Sequence, residues 1–155
     1  LIITDSYKKA EFNLQVVWIN KPTSLANLEF AVEILNMIES KNVVDKILQN
    51  SKSNLYDALI NYWDEKYPDR KYQFNELMNE FYRRVDYANE NFSTFSYKFG
   101  AKTDRGKIYI KYGQPDEIFR NYSNNKVIEI WIYKNINKQF TFIDSSGLGN
   151  YMLEE

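Results

Sequence analysis

The sequence predicts an α+β fold, with a leading strand and a helical first part followed by a small antiparallel meander packed on helices. Through the first two-thirds, apolar residues recur every three or four positions, which is typical of amphipathic helices. After Thr103, β-rich runs alternate with short turn sequences. The 155 residues are 44% hydrophobic and 26% charged, so the chain can bury a globular core.

The leading strand is predicted over residues 10–20, where apolar side chains alternate with polar ones. It has no obvious hairpin partner, so we expect it to pair with the C-terminal sheet or with an upstream domain. Ser24 is then predicted to cap a helix that ends near Ser40.

Three further helices are predicted over residues 43–50, 55–66 and 74–92, the second capped by Ser53 and ended by Pro68. Strong helix formers dominate the last of these, and nothing in its interior breaks it. Its buried face is expected to consist of Leu77, Phe81, Val85, Ala88 and Phe92.

The C-terminal third begins with a short helix, predicted between a cap at Thr103 and a stop at Gly113 and Pro115. Residues 107–112 also alternate as a strand would, but the signals at both ends favour the helix. Strands follow at 117–122, 127–133, 139–144 and 151–153. In the second of these strands, Ile128, Ile130 and Ile132 share one face, while Glu129, Trp131 and Tyr133 share the other.

The composition excludes several kinds of chemistry. There is no Cys and no His, so a Cys nucleophile, a Ser-His-Asp triad, a Cys/His zinc site and disulfides are ruled out. A net charge of −1 argues against nucleic-acid binding. We predict no metal site and no cofactor. No apolar run is long enough for a transmembrane segment, and any signal or anchor is expected upstream.

The polar residues of the C-terminal third are interpreted as structural. Thr103 and Asp104 suit a helix N-terminus, where a hydroxyl caps and a carboxylate meets the helix dipole. Asp116 and Asp144 suit turns in which a carboxylate accepts nearby backbone amides. Asp116 and Glu117 cannot form a glycosidase pair alone, because neighbours on a strand point to opposite faces.

Two arginines on the longest helix leave two interpretations open. Glu80 with Arg84, and Arg83 with Tyr87, have the spacing of contacts along a helix surface. Alternatively, Arg83 or Arg84 pairs with a carboxylate of the C-terminal part and joins helix to sheet.

An ordered series of motifs then identifies a resemblance. Gly100-Ala101-Lys102-Thr103-Asp104 is followed by Gly113-Gln114-Pro115-Asp116, by a strand containing Trp131, and by residues 140–144. Over about residues 62–153 the chain resembles the bacterial GWxTD domain family. Ala101 stands where that family has Trp. The residues that match the family motifs, and that we expect to hold the fold, are Thr103, Asp104, Gly113, Pro115, Asp116, Trp131 and Asp144.

The resemblance implies an extracytoplasmic bacterial protein, periplasmic or associated with the outer membrane, and it implies no reaction. It divides the chain into a strand or the end of an upstream β-rich domain (1–22), a helical linker region (23–70) and a GWxTD-like α+β domain (71–155). A weaker similarity, at the level of fold alone, is to small outer-membrane lipoproteins that assist barrel assembly.

Three functions remain open at this point. The first is a non-catalytic protein-interaction or scaffolding module of a bacterial envelope, secretion or outer-membrane assembly, which an open sheet edge or an apolar face would favour. The second is a glycan- or peptidoglycan-binding module, which exposed coplanar aromatics in a groove would favour. The third is a carboxylate-based hydrolase, which needs two facing carboxylates in a cleft. The oligomeric state is not predicted.

Overall fold

The computed structural model describes residues 2–4, 9–11, 18–68, 74–123 and 126–154. Within these ranges the helices are α1 (Leu28–Glu33), α2 (Lys41–Leu48), α3 (Leu55–Lys66), α4 (Glu76–Phe92) and α5 (Asp104–Tyr112). The strands are β1 (Ile2–Thr4), β2 (Lys9–Glu11), β3 (Glu117–Ser123), β4 (Lys126–Tyr133), β5 (Lys138–Asp144) and β6 (Met152–Leu153). The α+β architecture predicted from the sequence is confirmed.

The N-terminal strands correct one prediction. β2 pairs with β1 in an antiparallel hairpin, with Ile3 opposite Ala10, so the leading strand does have a partner close in sequence. Residues 12–17 of the predicted strand lie outside the described residues. Trp18 is not in a strand, and Ile19 and Asn20 form a turn, so the predicted strand does not reach residue 20.

The helix predicted from Ser24 to about Ser40 is divided into three pieces. Short 3-10 helices at Thr23–Ala26 and Ile34–Met37 flank α1. Asn27 causes the first break, because its backbone is extended and its side chain accepts a hydrogen bond from the amide of Phe30 at 3.1 Å. Asn27 is therefore the cap of this helix, in place of Ser24.

The longest helix differs from its prediction at its first turn. Asn75 caps α4 by accepting from the amide of Met78 at 2.9 Å, which places the helix start after Phe74. Met78 is buried, whereas Leu77, expected in the buried stripe, is 45% exposed. The other four predicted residues, Phe81, Val85, Ala88 and Phe92, are buried as expected, and Tyr82, one turn after Met78, joins them. Leu77 instead lines a cavity of about 270 Å³.

One hydrophobic core joins the early helices to the rest of the chain. Its buried residues run from Leu25 to Phe142. The Tyr82 hydroxyl on α4 donates to the carbonyl of Ala31 on α1 at 2.7 Å, inside that core. The region predicted as a helical linker thus shares its buried residues with α4 and the sheet.

The sheet is an antiparallel meander in the order β3-β4-β5-β6. Glu129 on β4 lies opposite Arg120 and Phe142, and Trp131 lies opposite Ile118 and Phe140. Side chains of directly opposed residues share a face, so the register builds two distinct surfaces. Glu129, Trp131 and Phe142 are buried on the face that packs against the helices.

The first prediction concerns the attachment of the early helices. Asp86 on α4 accepts from the amides of Thr23 and Ser24 at 2.6 and 2.9 Å. Asp86→Ala leaves both donors without that acceptor, and we expect it to lower the free energy of unfolding by about 1–2 kcal/mol in urea. Glu90→Ala, at an exposed position of the same helix, is the control and should stay within about 0.5 kcal/mol. Equal losses in the two variants would contradict this role for Asp86.

Candidate functional site

A buried ionic cluster lies between the last helix and the sheet. Glu129 on β4 is 1% exposed. One of its carboxylate oxygens accepts from the Arg105 guanidinium at 3.4 Å and from the Trp131 indole N–H at 2.7 Å. The other accepts from Nε of Arg120 at 2.5 Å. Because a buried carboxylate needs both charge and hydrogen-bond partners, this cluster fixes α5, β3 and β4 together.

Aromatic rings enclose the cluster on the helix side. The Arg105 guanidinium lies 3.9 Å from the ring centre of Tyr151 and 5.1 Å from that of Phe92. Trp131 packs against Phe142 and Phe92 with ring centres 4.9 and 5.5 Å apart. These rings exclude water from one side of the ions and hold the guanidinium plane by cation–π contact.

The charges of the cluster do not balance. Two guanidinium cations face one carboxylate, and no second carboxylate forms an ion pair with either arginine in the part of the chain that the structure describes. The Arg120 side chain is 55% exposed, and the hydrogen bond and charge of Glu129 raise its pKa above the ordinary value. The excess positive charge therefore reaches the surface at Arg120.

Next to this cluster, the first motif residues form a tight corner between α4 and α5. A Cβ on Gly100 would lie 2.0 Å from the backbone oxygen of Ala88, so only glycine fits there. Thr103 caps α5 by accepting from the amide of Gly106 at 3.1 Å, and its hydroxyl donates to the Gly100 carbonyl at 2.7 Å. The cap predicted at Thr103 is confirmed. Ala101 is fully buried, so the place of the family's Trp is closed to solvent here.

A sequence model of the GWxTD domain matches residues 1–153. The chain belongs to the GWxTD domain family. The match also includes the N-terminal hairpin, whereas the motifs quoted from the sequence lie between residues 100 and 144. No curated protein and no solved structure matches the chain.

Asp104 of the GWxTD motif joins α5 to the last strand. Its carboxylate accepts from Nζ of Lys107 at 2.9 Å and from the backbone amide of Leu153 at 3.1 Å. Burial opposes ionisation, but the bonds from Leu153 and Lys107 outweigh it and hold the pKa of Asp104 below its ordinary value. Asp104 and Arg105, adjacent in sequence, thus take part in different contacts and do not form one polar site.

The second motif, Gly113-Gln114-Pro115-Asp116, lies between the end of α5 and the start of the sheet. Gly113 has φ of 80°, and its carbonyl accepts from the Tyr133 hydroxyl at 2.8 Å. Pro115, two residues later, is buried. Asp116 accepts from the amide of Lys134 at 2.7 Å, which is a contact to the far end of β4 rather than the local turn expected from the sequence.

Asp144 is enclosed by the loop that follows β5. It is 1% exposed and accepts from the amides of Ser146, Gly147 and Gly149 at 3.0, 3.0 and 2.6 Å, and from the Ser146 hydroxyl at 2.8 Å. Burial opposes its ionisation, but these four bonds outweigh it and hold the pKa of Asp144 below its ordinary value. The turn cap predicted at Asp144 is confirmed, and the carboxylate is saturated by its own loop.

Among the described residues, neither arginine of α4 pairs with a carboxylate of the sheet. Arg84 pairs with Glu80 on its own helix at 2.7 Å and donates to the Ile110 carbonyl at 3.4 Å. Arg83 is exposed. The ionic contact that the sequence assigned to one of them is made by Arg105 with Glu129. The structure thus favours the helix-surface interpretation for Arg84.

The sequence did not single out Glu129 or Arg105 as partners. A signal was present, because Glu129 lies on the same strand face as Trp131 and Tyr133. A carboxylate buried among aromatic side chains needs a cation as its partner. Arg105 follows Thr103 and Asp104 in the first turn of α5. Its direction toward the sheet depends on how α5 packs, which the sequence pattern alone does not supply.

A second feature is the sheet surface that points away from the helices, here called the outer apolar face. None of its side chains belongs to the buried core, and all stay partly exposed in the described part of the chain. The exposed fractions of Phe119 and Met152 are both 53%. The name refers to the apolar side chains there, which are Phe119, Ile128, Ile130, Ile132, Ile143 and Met152. The polar residues Glu117, Asn121, Gln139 and Thr141 lie on the same sheet surface beside them.

Strand β3 borders this face and ends the sheet. It pairs with β4 on one side, and on the other side no strand lies among the described residues. Its seven residues contain no Pro, and Ile118, Phe119 and Tyr122 are 49%, 53% and 74% exposed. Long edge strands with apolar side chains are places where another strand can add.

Neither a membrane span nor a metal-binding group was found in the described ranges. None of their helices combines the length and the apolar composition needed to cross a membrane. No three acidic side chains of these residues come together as metal ligands would.

The buried cluster yields the second prediction. Glu129→Gln removes the carboxylate that pairs with Arg105 among the described residues. We expect it to lower the free energy of unfolding by about 3–5 kcal/mol, because a buried cation is left uncompensated. Glu117→Gln, on the neighbouring strand and ion-paired to exposed Lys134, should cost at most about 1 kcal/mol. Urea unfolding followed by tryptophan fluorescence measures both variants. A loss below about 1 kcal/mol for Glu129→Gln would refute the role of the cluster.

The third prediction concerns acid stability. The folded pKa of Asp144 is lowered, so its ionisation stabilises the fold above the unfolded pKa of about 3.9, and this contribution is lost as pH falls through the folded pKa. At pH 7, Asp144→Asn should cost about 1–2 kcal/mol. Between pH 5 and pH 3, about where an unfolded Asp titrates, the wild type should lose more stability than Asp144→Asn. Parallel pH profiles of urea midpoints would contradict this.

Proposed function

We propose that the chain is a non-catalytic protein-interaction module and that its docking surface is the outer apolar face with the adjoining edge of β3. The single observation that carries the proposal is that one face of the sheet packs on helices while the other, lined by isoleucines, stays partly exposed. Antiparallel sheets with one solvated face usually place polar residues there. A contiguous apolar face marks a contact surface instead.

The state of the carboxylates agrees with a non-catalytic role. Asp144 is saturated by its loop, Asp104 is bonded to Leu153 and Lys107, and Glu129 is paired with two arginines. A general acid or base needs an accessible carboxyl with a pKa tuned toward neutrality. The shifts at Asp104 and Asp144 are in the opposite direction.

The aromatic side chains give the glycan-binding alternative little support. Tyr62 is buried, and Tyr109 stacks on Tyr87 with ring centres 4.4 Å apart. Tyr122 is exposed, but the neighbouring Phe119 lies on the other face of the same strand. Coplanar rings free to stack on a sugar are therefore not found at these positions.

The cellular setting is proposed from the family resemblance. We propose that the partner belongs to a bacterial cell-envelope assembly, in secretion or at the outer membrane, and that the protein acts outside the cytoplasm. The location and the assembly rest on the resemblance, whereas the docking surface rests on the exposed residues of the sheet.

The fourth prediction tests the docking surface. Affinity capture from the native envelope, with mass spectrometry, should recover a stoichiometric protein that also binds the purified chain directly. The double variant Phe119→Thr/Ile130→Thr should weaken that binding by at least about tenfold, because the variant removes apolar area from the centre of the face. Circular dichroism and urea unfolding check that the variant remains folded.

Phe95→Thr is the matched control, since Phe95 is fully exposed, lies in the loop between α4 and α5, and is not one of the residues of the outer apolar face. It should leave partner binding unchanged. Recovery of the bare chain after cross-linking would overturn the proposal, and so would a partner whose binding is lost equally in both variants.

A further inference from the structure

We propose that β3 accepts an extended segment of the partner as an added strand, and that a carboxylate of this segment pairs with Arg120. The inference rests on the proposed function and names the chemistry of its partner. It requires an open strand edge, an unbalanced positive charge on that edge, and apolar side chains on both sides of the charge. The structure provides all three.

The positive charge originates in the buried cluster. Arg105 and Arg120 share the single carboxylate of Glu129. Arg120 uses its Nε for that contact, and its two Nη groups have no hydrogen-bond partner among the described residues. Since the side chain is 55% exposed, a guanidinium with free donors and no full counter-charge faces solvent at the sheet edge. Carboxylates bind such groups with charge-assisted hydrogen bonds.

The side chains beside Arg120 define what accompanies the carboxylate. Ile118 and Tyr122 lie two residues before and after it on the same face of β3, and they are 49% and 74% exposed. An added strand places one residue opposite each of these three positions. The best match is an acidic residue with an apolar residue two positions away on either side.

The opposite face adds a further apolar position. Phe119 points to the outer apolar face next to Ile130. The residue of the added strand that lies opposite Phe119 would extend this face and be favoured by an aliphatic or aromatic side chain. The expected segment is therefore extended, apolar on both faces and acidic at its centre. Backbone hydrogen bonds would supply affinity, and the Arg120 contact would supply register and specificity.

Arg120 is also fixed in place before any partner binds. Its Nε bond to a buried carboxylate restrains a side chain that otherwise loses much rotamer freedom on binding. The positive charge thus sits at a defined position along the edge, between Ile118 and Tyr122. Such a preorganised charge discriminates against a segment with a basic residue at the same position.

The test uses the folded chain and a synthetic peptide, Thr-Val-Val-Glu-Val-Val-Thr with a fluorescent Gly-Ser tail. The core is palindromic, so it presents the same pattern in either strand direction. Fluorescence anisotropy should show binding that weakens about fivefold when the central Glu is replaced by Gln and at least about tenfold when it is replaced by Lys. Raising the salt concentration should weaken the Glu peptide and leave the Gln peptide unchanged. N-methylation of alternate peptide amides should abolish binding, since it removes strand hydrogen bonds.

Protein variants complete the experiment. Phe119→Thr should weaken peptide binding, whereas Phe95→Thr should not. Equal affinity for the Glu, Gln and Lys peptides would overturn the Arg120 pairing, and unchanged binding after N-methylation would overturn strand addition. No binding of any peptide would also overturn the inference. If partner capture still depends on Phe119 and Ile130 in any of these cases, the proposed function stands without strand addition.

A second copy of the chain is the remaining occupant to test. Sedimentation of the peptide-free chain from micromolar to millimolar concentration should show a monomer. A dimer that Phe119→Thr dissociates would overturn the inference, because the edge would then be covered by β3 of another copy.

Discussion

The Glu129 carboxylate, removed from water between α5 and the sheet, is the constraint on which the arrangement of the C-terminal part depends. It needs three donors at once, and Arg105, Arg120 and Trp131 supply them from α5, β3 and β4. Replacing such a cluster with apolar residues need not cost stability, so its value lies in geometry. Directed bonds from three elements fit one register of helix on sheet, whereas apolar side chains would tolerate a shift. The same cluster brings one unbalanced charge to the sheet edge.

The motif residues of the GWxTD domain connect the elements that surround Glu129. Gly100 allows the chain to approach α4 closely, and Thr103 starts α5 in the direction that points Arg105 at the sheet. Asp104 ties the start of α5 to β6, and Asp144 shapes the loop that carries the chain from β5 to β6. Thr103, Asp104 and Asp144 all accept from backbone amides, so these contacts fix the path of the chain. The structure thus gives these motif residues a role in holding the fold.

The two faces of the sheet differ in their surroundings. The inner face carries Trp131 and Phe142 together with the ionic cluster, which the helices bury. The outer face repeats aliphatic residues such as Ile128 and Ile130, although nothing among the described residues buries them. Solvation of so much apolar area is unfavourable for an isolated domain. A bound partner would remove this apolar area from water. The proposed docking surface is therefore on the sheet rather than on the helices.

Local sequence signals by themselves determined the α+β class, the bounds of α3, the Thr103 cap, the meander and the Asp144 turn, because each depends on neighbours within a few residues. Periodicity also separated the isoleucine face of β4 from the Glu129 face. Only the tertiary structure decided which of those faces is buried, which arginine meets Glu129, and that Leu77 is exposed where Met78 is not. These outcomes depend on how elements distant in sequence pack together. Hydrophobic periodicity and secondary-structure propensity do not specify which side chains of a helix face the sheet.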